Sequence, residues 1–146
     1  MSKAIRIHAH GGPEVLTYED AGPGRPGSGQ ILVRHTAIGL NFIDVYHRSG
    51  LYPPPGGFPL IPRSEAAGVV QEVGEGVDWL KPGERIAYST NVGAYAEQRV
   101  IAASLVVKIP EGISDEQAAA MMLKGMTSEY LLRRTFKVKA GDTILF

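Results

Sequence analysis

The sequence contains no cysteine among its 146 residues. Disulfides are therefore excluded, and so is any zinc site or catalytic nucleophile that depends on a thiolate. An excess of charge of one sign is also absent, because Lys+Arg 15 balance Asp+Glu 15. Such a chain lacks the broad positive field that attracts nucleic acid or anionic lipid. We therefore expect neither a nucleic-acid partner nor a membrane partner.

Long apolar runs are missing as well. No segment approaches the roughly 20 apolar residues that are needed to span a bilayer. Residues 1–10 alternate apolar and polar side chains, which is typical of a half-buried strand and unlike a signal peptide. A cytoplasmic location is the resulting prediction, and the 44% of hydrophobic residues is enough for one ordinary core.

Glycine and proline divide the chain into short segments with strand character. Many short strands at this spacing favour a barrel or a sandwich, and a small curled barrel also removes exposed sheet edges. The glycine- and proline-rich stretch at residues 22–29 is predicted to be a loop. The predicted strands are residues 4–9, 15–19, 31–38, 66–73, 85–88, 94–101 and 105–109.

Helical patterns interrupt the strands at a few places. Asn41 can cap a first helix, with Asp44 in its first turn. Ser114 and Gln117 form a capping-box signature before a second apolar segment. Gly125 is expected to end that segment and to separate it from a third. The predicted helices follow Asn41 and occupy residues 118–123 and 127–136.

Two motifs carry the strongest functional signal. The first is Asn41-Phe-Ile-Asp44, followed by Gly50-Leu-Tyr52-Pro53-Pro-Pro, and the second begins at Ser64-Glu65-Ala-Ala-Gly68. Together they resemble the zinc-independent quinone oxidoreductases of the medium-chain dehydrogenase/reductase superfamily. The resemblance implies a mainly β fold with a few short helices, a GroES-like partly open β-barrel catalytic domain. It also implies hydride transfer from NADPH to a quinone without a metal.

The motifs lack the metal ligands of the zinc-dependent members of that superfamily. Those enzymes carry a metal-binding cysteine near the first motif and Gly-His-Glu at the start of the second, where this chain has Arg63-Ser64-Glu65. Catalytic zinc takes about three protein ligands from Cys, His or carboxylate, and Asn41 and Ser64 are poor substitutes. We therefore predict no zinc, and we expect Glu65 to be a structural carboxylate paired with an arginine.

The end of the sequence concerns domain organisation. Residues 139–146 have the pattern of a turn followed by a buried strand, and in the family this strand opens the nucleotide-binding domain. The spacing G-x-G-x-x-G occurs once, at Gly22-Pro-Gly24-Arg-Pro-Gly27, but it lies in the predicted loop and does not open a helix. No such motif follows residues 139–146, so the main phosphate-binding site for NADPH is missing from this sequence. We expect a catalytic domain at 1–138 and the first strand of a truncated nucleotide-binding domain at 139–146. By resemblance, the full-length enzyme is a homodimer, whereas this piece alone is monomeric and inactive.

The resemblance also implies the site residues. Asn41, Tyr46 and Tyr52 would line the nicotinamide cleft, and Lys124 and Thr127 would approach from the other side. A hydroxyl or an amide can orient the cofactor carboxamide, and tyrosine faces offer apolar area to a planar quinone. Tyr52 is the candidate catalytic residue. The preference for NADPH rests on the family alone.

Each of these residues also has a plainer interpretation. Asn41 can be only a helix cap, and Asp44 only a first-turn charge that faces the helix dipole. Tyr46 shares a helix face with Phe42 and can belong to the core. Tyr52 lies in a loop, where a purely structural role is harder to assign.

Two other functions remain open. One is an enoyl-thioester reductase of the same superfamily, in which a tyrosine in a similar Gly-x-Tyr loop donates a proton beside the carbon that receives hydride. Tyr52 matches that position. The other is a non-catalytic co-chaperonin-like barrel, because the same fold occurs in co-chaperonins and a fold alone does not specify a function.

Overall fold

A computed structural model of the protein describes residues 2–90 and 92–145. Within this part of the chain, the strands form a two-stranded sheet and a five-stranded antiparallel sheet, both of them open. The predicted mainly β class with few helices is confirmed. The strands are β1 (Lys3–Arg6), β2 (Thr17–Asp20), β3 (Gln30–Ile38), β4 (Glu65–Val73), β5 (Arg85–Ser89), β6 (Gln98–Ala102) and β7 (Val107–Lys108). The helices are α1 (Phe42–Ser49) and α2 (Asp115–Glu129), with a π-helical segment at Tyr130–Thr135 and 3-10 turns at Pro13–Val15 and Ala103–Leu105.

Strands β3 and β4 lie side by side in the larger sheet, whose order is β6-β3-β4-β5-β7. Their antiparallel register pairs Ile38 with Ala66, so the end of β3 lies beside the start of β4. Just beyond this pair, the Gly39 N–H donates to the Glu65 carbonyl at 2.9 Å. The connection from β3 to α1 is therefore held next to Glu65.

The two faces of the larger sheet pack against different partners. Ala66 and Tyr88 are paired across β4 and β5 and face the main core, whereas the next pair, Ala67 and Ala87, packs against α2. This alternation follows from the two-residue period of a strand. The small side chains allow α2 to approach the sheet closely, because its buried contact residues are Ala118 and Ala119. Other main-core residues are Ile31, Val33, Val70, Leu80, Ile86 and Ile101.

Asp115 fastens the first turn of α2 to the sheet. Its carboxylate accepts a hydrogen bond from the Thr36 hydroxyl at 2.6 Å and is bound by the Arg85 guanidinium at 2.7 Å. The Thr36 hydroxyl, followed by Arg85, lowers the pKa of the Asp115 carboxyl. An acidic residue in the first turn also suits the helix dipole. The predicted capping box before this helix is confirmed, with Gln117 N–H donating to the Ser114 hydroxyl oxygen at 3.2 Å.

Several strand boundaries differ from the prediction. Residues 94–101 join the sheet only from Gln98, because the Tyr95 N–H is bonded to the Pro62 carbonyl at 3.0 Å in a loop contact. Three predicted strands are shorter in the structure: 4–9 ends at Arg6, 15–19 begins at Thr17, and 105–109 is reduced to Val107–Lys108. The predicted strands 31–38, 66–73 and 85–88 match β3, β4 and β5 within one residue at each end.

Gly125 does not separate two helices, as the sequence had suggested. It lies inside α2, which runs without interruption from Asp115 to Glu129. One glycine in a helix interior costs only about 1 kcal/mol relative to alanine. Packing of α2 against the sheet outweighs this cost, so the prediction of two helices is wrong.

The predicted terminal strand is not formed within the described residues. Lys139 donates its N–H to the Asp142 side chain at 2.7 Å in a turn, and residues 142–145 belong to neither sheet. Phe146 lies outside the described residues, and the division into domains at residues 138 and 139 stays a prediction. None of the described helices is both long enough and apolar enough to cross a membrane.

Candidate functional site

Asn41 occupies the N-cap of α1 but uses its side chain for other contacts. Its backbone is extended, and its N–H donates to the Asp44 carboxylate at 2.9 Å. The side-chain Nδ2 donates to Glu65 Oε1 at 2.7 Å, and Oδ1 accepts from Lys124 Nζ at 2.7 Å. The interpretation of Asn41 as only a helix cap is therefore insufficient, because its amide bridges two other elements.

Glu65 is completely buried at the start of β4 and accepts from several donors. Besides Asn41, the Leu123 backbone N–H donates to its Oε2 at 2.6 Å, and Lys124 Nζ lies 3.6 Å from its Oε1. The prediction that Glu65 pairs with an arginine is wrong. The guanidinium of Arg63, two residues earlier, lies over the Tyr95 ring instead, with its Cζ 4.3 Å from the ring centroid. The carboxylate is matched instead by an amide, a backbone N–H and a lysine.

Lys124 and Thr127 both lie on α2, but the structure places their polar atoms differently. The Lys124 side chain is 62% exposed and reaches across to Asn41. The Thr127 hydroxyl donates to the Leu123 carbonyl at 2.8 Å, within its own helix. The structure thus joins Lys124 to Asn41, whereas Thr127 makes its bond locally.

Tyr46 and Tyr52 form an aromatic pair at the C-terminal end of α1. Their rings meet edge to face at a centroid distance of 5.4 Å, and the Tyr52 N–H donates to the Tyr46 carbonyl at 3.2 Å. Gly50, which has a φ of 86°, ends α1 and lets the chain turn back. Tyr46 was interpreted as a core residue that shares a helix face with Phe42. Phe42 does not belong to the core, because it is 79% exposed. Tyr52 is 47% exposed and open to a ligand.

Asp44 and His47 are buried residues that the sequence did not reveal as such. Asp44 is 6% exposed, and its Oδ1 has no hydrogen-bond partner among the described residues; the same is true of His47 Nδ1. Burial raises the pKa of the Asp44 carboxyl above its usual value. Asp44 also borders a cavity of about 160 Å³ with Arg48 and Arg63. Asp44 is therefore a first-turn carboxylate, as predicted, but not a solvent-exposed one.

Comparison with known proteins identifies the domain. Residues 27–111 match the alcohol dehydrogenase GroES-like domain. The chain belongs to this family. The match includes β3, α1, β4 and Glu65, whereas Lys124 on α2 lies beyond it.

Several relatives of this GroES-like domain are named as oxidoreductases or reductases. The chain is 54% identical to a quinone oxidoreductase of Pseudomonas aeruginosa over 100% of its own length and 45% of the relative. It is 44% identical to a 2-haloacrylate reductase of Burkholderia over 99% of this chain and 45% of that protein. The structure of Escherichia coli quinone oxidoreductase complexed with NADPH aligns with a TM-score of 0.89 at 48% identity, covering 94% of this chain and 42% of that one. The predicted resemblance to quinone oxidoreductases is confirmed, and the chain spans about 45% of the length of these curated relatives.

A zinc site needs several metal-binding side chains close together. Within residues 2–90 and 92–145, no three His, Cys, Asp or Glu side chains lie close enough together to hold a metal ion. Asn41 and Glu65, one from each of the two sequence motifs, are hydrogen-bonded to each other. The absence of zinc from the reaction stays a prediction.

Proposed function

We propose that the protein is the catalytic domain of a zinc-independent, NADPH-dependent quinone reductase. The observation that carries the proposal is the hydrogen bond from Lys124 Nζ to Asn41 Oδ1 at 2.7 Å. It joins the two elements that the resemblance assigns to opposite sides of the nicotinamide cleft. The names of the relatives, and the NADPH complex of one of them, support the same activity.

The side chains present fit a nicotinamide. Lys124 and Tyr52 are both accessible to a ligand, and the Asn41 amide has a defined orientation between Glu65 and Lys124. The Thr127 hydroxyl donates inward, so its oxygen can still accept from a carboxamide. In this proposal Asn41, Tyr46, Tyr52, Lys124 and Thr127 hold the cofactor. When bound, NADPH supplies the hydride.

The protein residues then have three tasks. Asn41 and Thr127 orient the carboxamide, while the Tyr46 and Tyr52 rings cover the planar substrate and exclude water. A quinone that gains a hydride needs one proton to become a hydroquinone. We assign this proton to the Tyr52 hydroxyl, which is accessible, or to water that it orients.

The remaining parts of the proposal concern organisation. We propose that residues 1–138 form the catalytic domain, that residues 139–146 begin a nucleotide-binding domain, and that the full-length enzyme is a cytoplasmic homodimer. The isolated chain is proposed to be a monomer without nucleic-acid or membrane partners. A size measurement on the isolated chain separates this proposal from the co-chaperonin-like alternative, which would form a ring.

The decisive experiment compares this 146-residue chain with the full-length protein. NADPH is titrated into each, and nicotinamide fluorescence is followed with and without 1,4-benzoquinone. We expect binding and quinone reduction only in the full-length protein, because the main phosphate-binding site is missing here. Tight NADPH binding by the isolated chain would show that the domain assignment is wrong.

A second candidate function is reduction of an activated carbon–carbon double bond. The 44% identity to a 2-haloacrylate reductase favours it, and the enoyl-thioester alternative has the same chemistry. Such a substrate must receive a proton on carbon, which is slow without a positioned acid, whereas a reduced quinone oxygen takes a proton readily from water.

Tyr52→Phe separates the two functions. In the full-length enzyme, we expect kcat for 1,4-benzoquinone to fall less than about ten-fold and turnover of 2-chloroacrylate or crotonyl-CoA, if present, to fall about 100-fold or more. Tyr18→Phe is the matched control, because Tyr18 is an exposed tyrosine whose hydroxyl donates to Glu97 on another part of the surface. If the alkenes are the better substrates of the unmodified enzyme, the quinone assignment is wrong.

A further inference from the structure

The two residues that bridge the proposed cofactor cleft share one buried partner. Glu65 Oε1 accepts from Asn41 Nδ2 at 2.7 Å and lies 3.6 Å from Lys124 Nζ. The side chain of Glu65 is 0% exposed, whereas that of Lys124 is 62% exposed. A lysine in water makes only a weak surface ion pair, so the strong contacts of Glu65 are those to Asn41 and to α2.

The contact of Glu65 with α2 is made in the middle of the helix. Leu123 lies in the helix interior, and its N–H donates to Glu65 Oε2 at 2.6 Å. In a regular α-helix, such an N–H is directed to the carbonyl four residues earlier. The carbonyl four residues earlier is that of Ala119, which faces Gly39 closely: a Cβ on Gly39 would lie 2.6 Å from its oxygen. The Glu65 carboxylate therefore occupies the junction between α2 and the connection that carries Asn41.

Glu65 also determines which way the Asn41 amide points. An ionised carboxylate only accepts hydrogen bonds, so it selects the NH₂ end of the amide. The amide oxygen is then directed to Lys124, which can only donate. A group at position 65 that both donates and accepts would no longer select the NH₂ end of the amide, and only the exposed lysine would then oppose a rotation by 180°.

We propose that Glu65 is a positioning residue for the cofactor site: it fixes the orientation of the Asn41 amide and the distance between Asn41 and Lys124. This inference rests on the proposed function, in which those two side chains hold NADPH. Glu65 itself is buried and acts only through its neighbours. In metal sites, groups that orient the ligands contribute about 10- to 100-fold to affinity or activity, and we expect an effect on that scale here.

The test uses the full-length protein with Glu65→Gln and Glu65→Asp. Glutamine keeps the shape but places an NH₂ group against one of the donors, and aspartate keeps the charge but is too short to reach Asn41 and Leu123 together. We expect the Kd for NADPH to rise about ten-fold in each. Asp115→Asn is the control, because it weakens another contact between α2 and the sheet; its melting temperature should fall while its Kd for NADPH is unchanged.

A double-mutant cycle distinguishes positioning from general stability. If Glu65 acts through Asn41, Asn41→Ala and Glu65→Gln together should weaken NADPH binding little more than Asn41→Ala alone. Additive losses, or an unchanged Kd in folded Glu65→Gln or Glu65→Asp protein, would overturn the inference. Should the unmodified protein bind NADPH but reduce no quinone, the proposed function fails while the affinity ratio still decides the role of Glu65.

Discussion

Gly39→Ala is expected to destabilise the protein by about 3 kcal/mol and to weaken NADPH binding by the full-length enzyme at least ten-fold. The methyl group would overlap the Glu65 side chain and would lie 2.6 Å from the Ala119 carbonyl oxygen. Neither neighbour can move freely, because Glu65 is held by Asn41 and Leu123. Relief of the overlap must therefore push β4 and α2 apart at the proposed site.

Thermal unfolding is measured for the unmodified protein and for Gly39→Ala. NADPH is titrated into the full-length enzyme with and without this substitution. Gly22→Ala is the matched control, because a Cβ at Gly22 meets no atom within 4 Å. Its effect should lie within about 0.5 kcal/mol. Gly39→Ala protein with normal stability and normal NADPH affinity would mean that the junction between Gly39, Glu65 and α2 is more compliant than these contacts indicate.

Local sequence signals predicted most of the regular structure. Segments with strand character between glycines and prolines located β3, β4 and β5, and a strand that must bury one face has little freedom in its register. The ends of α1 were also predictable, because Asn41 and Gly50 suit their terminal backbone conformations. Such signals succeed where a residue and its neighbours in sequence decide the conformation.

The errors arose where distant contacts decided the structure. Tyrosine is a residue type that favours strands, but the Tyr95 N–H is bonded to the Pro62 carbonyl in a loop. Gly125 has a helix-breaking character, but packing of α2 against β4 and β5 keeps it helical. The residues next to Tyr95 and Gly125 in the sequence do not indicate these contacts.

The candidate site shows the same limit more clearly. Asn41 and Lys124 are separated by 83 positions, and only the family resemblance placed them on one cleft. The link between them through Glu65 was not foreseen, since an arginine partner was expected for that carboxylate. The sequence did place Asp44 in the first turn of α1, but it did not indicate that only 6% of this residue is exposed. Spacing alone could not show this.

Glu65 and its donors Asn41, Leu123 and Lys124 form a cluster that shows how a buried carboxylate is tolerated. Removing an ion from water costs several kcal/mol, and the lysine at 3.6 Å is too exposed to offset that cost alone. The nearer donors are uncharged: the Asn41 amide at 2.7 Å and the Leu123 N–H at 2.6 Å. The stability of the cluster should therefore depend more on the donor at position 41 than on Lys124.

Asn41→Asp tests this dependence directly. Aspartate and asparagine are equally good N-cap residues, so α1 should still begin normally. The Nδ2 donor, however, is replaced by an oxygen that faces Glu65 Oε1 across a distance of 2.7 Å. Two carboxylates cannot both remain ionised at that separation. We expect a loss of about 3 kcal/mol at pH 8, or roughly 10 °C in melting temperature.

The pH dependence of this loss distinguishes charge repulsion from a lost contact. One proton shared by the two carboxyl groups restores an O–H···O hydrogen bond, so the folded variant binds a proton that its unfolded chain does not hold at neutral pH. Stability relative to the unmodified protein should therefore rise as the pH falls from 8 towards 5. Asn41→Ala, which removes the donor without adding charge, should lose about 1–2 kcal/mol with no such recovery. Equal losses in the two variants at every pH would show that Glu65 does not need a donor at position 41.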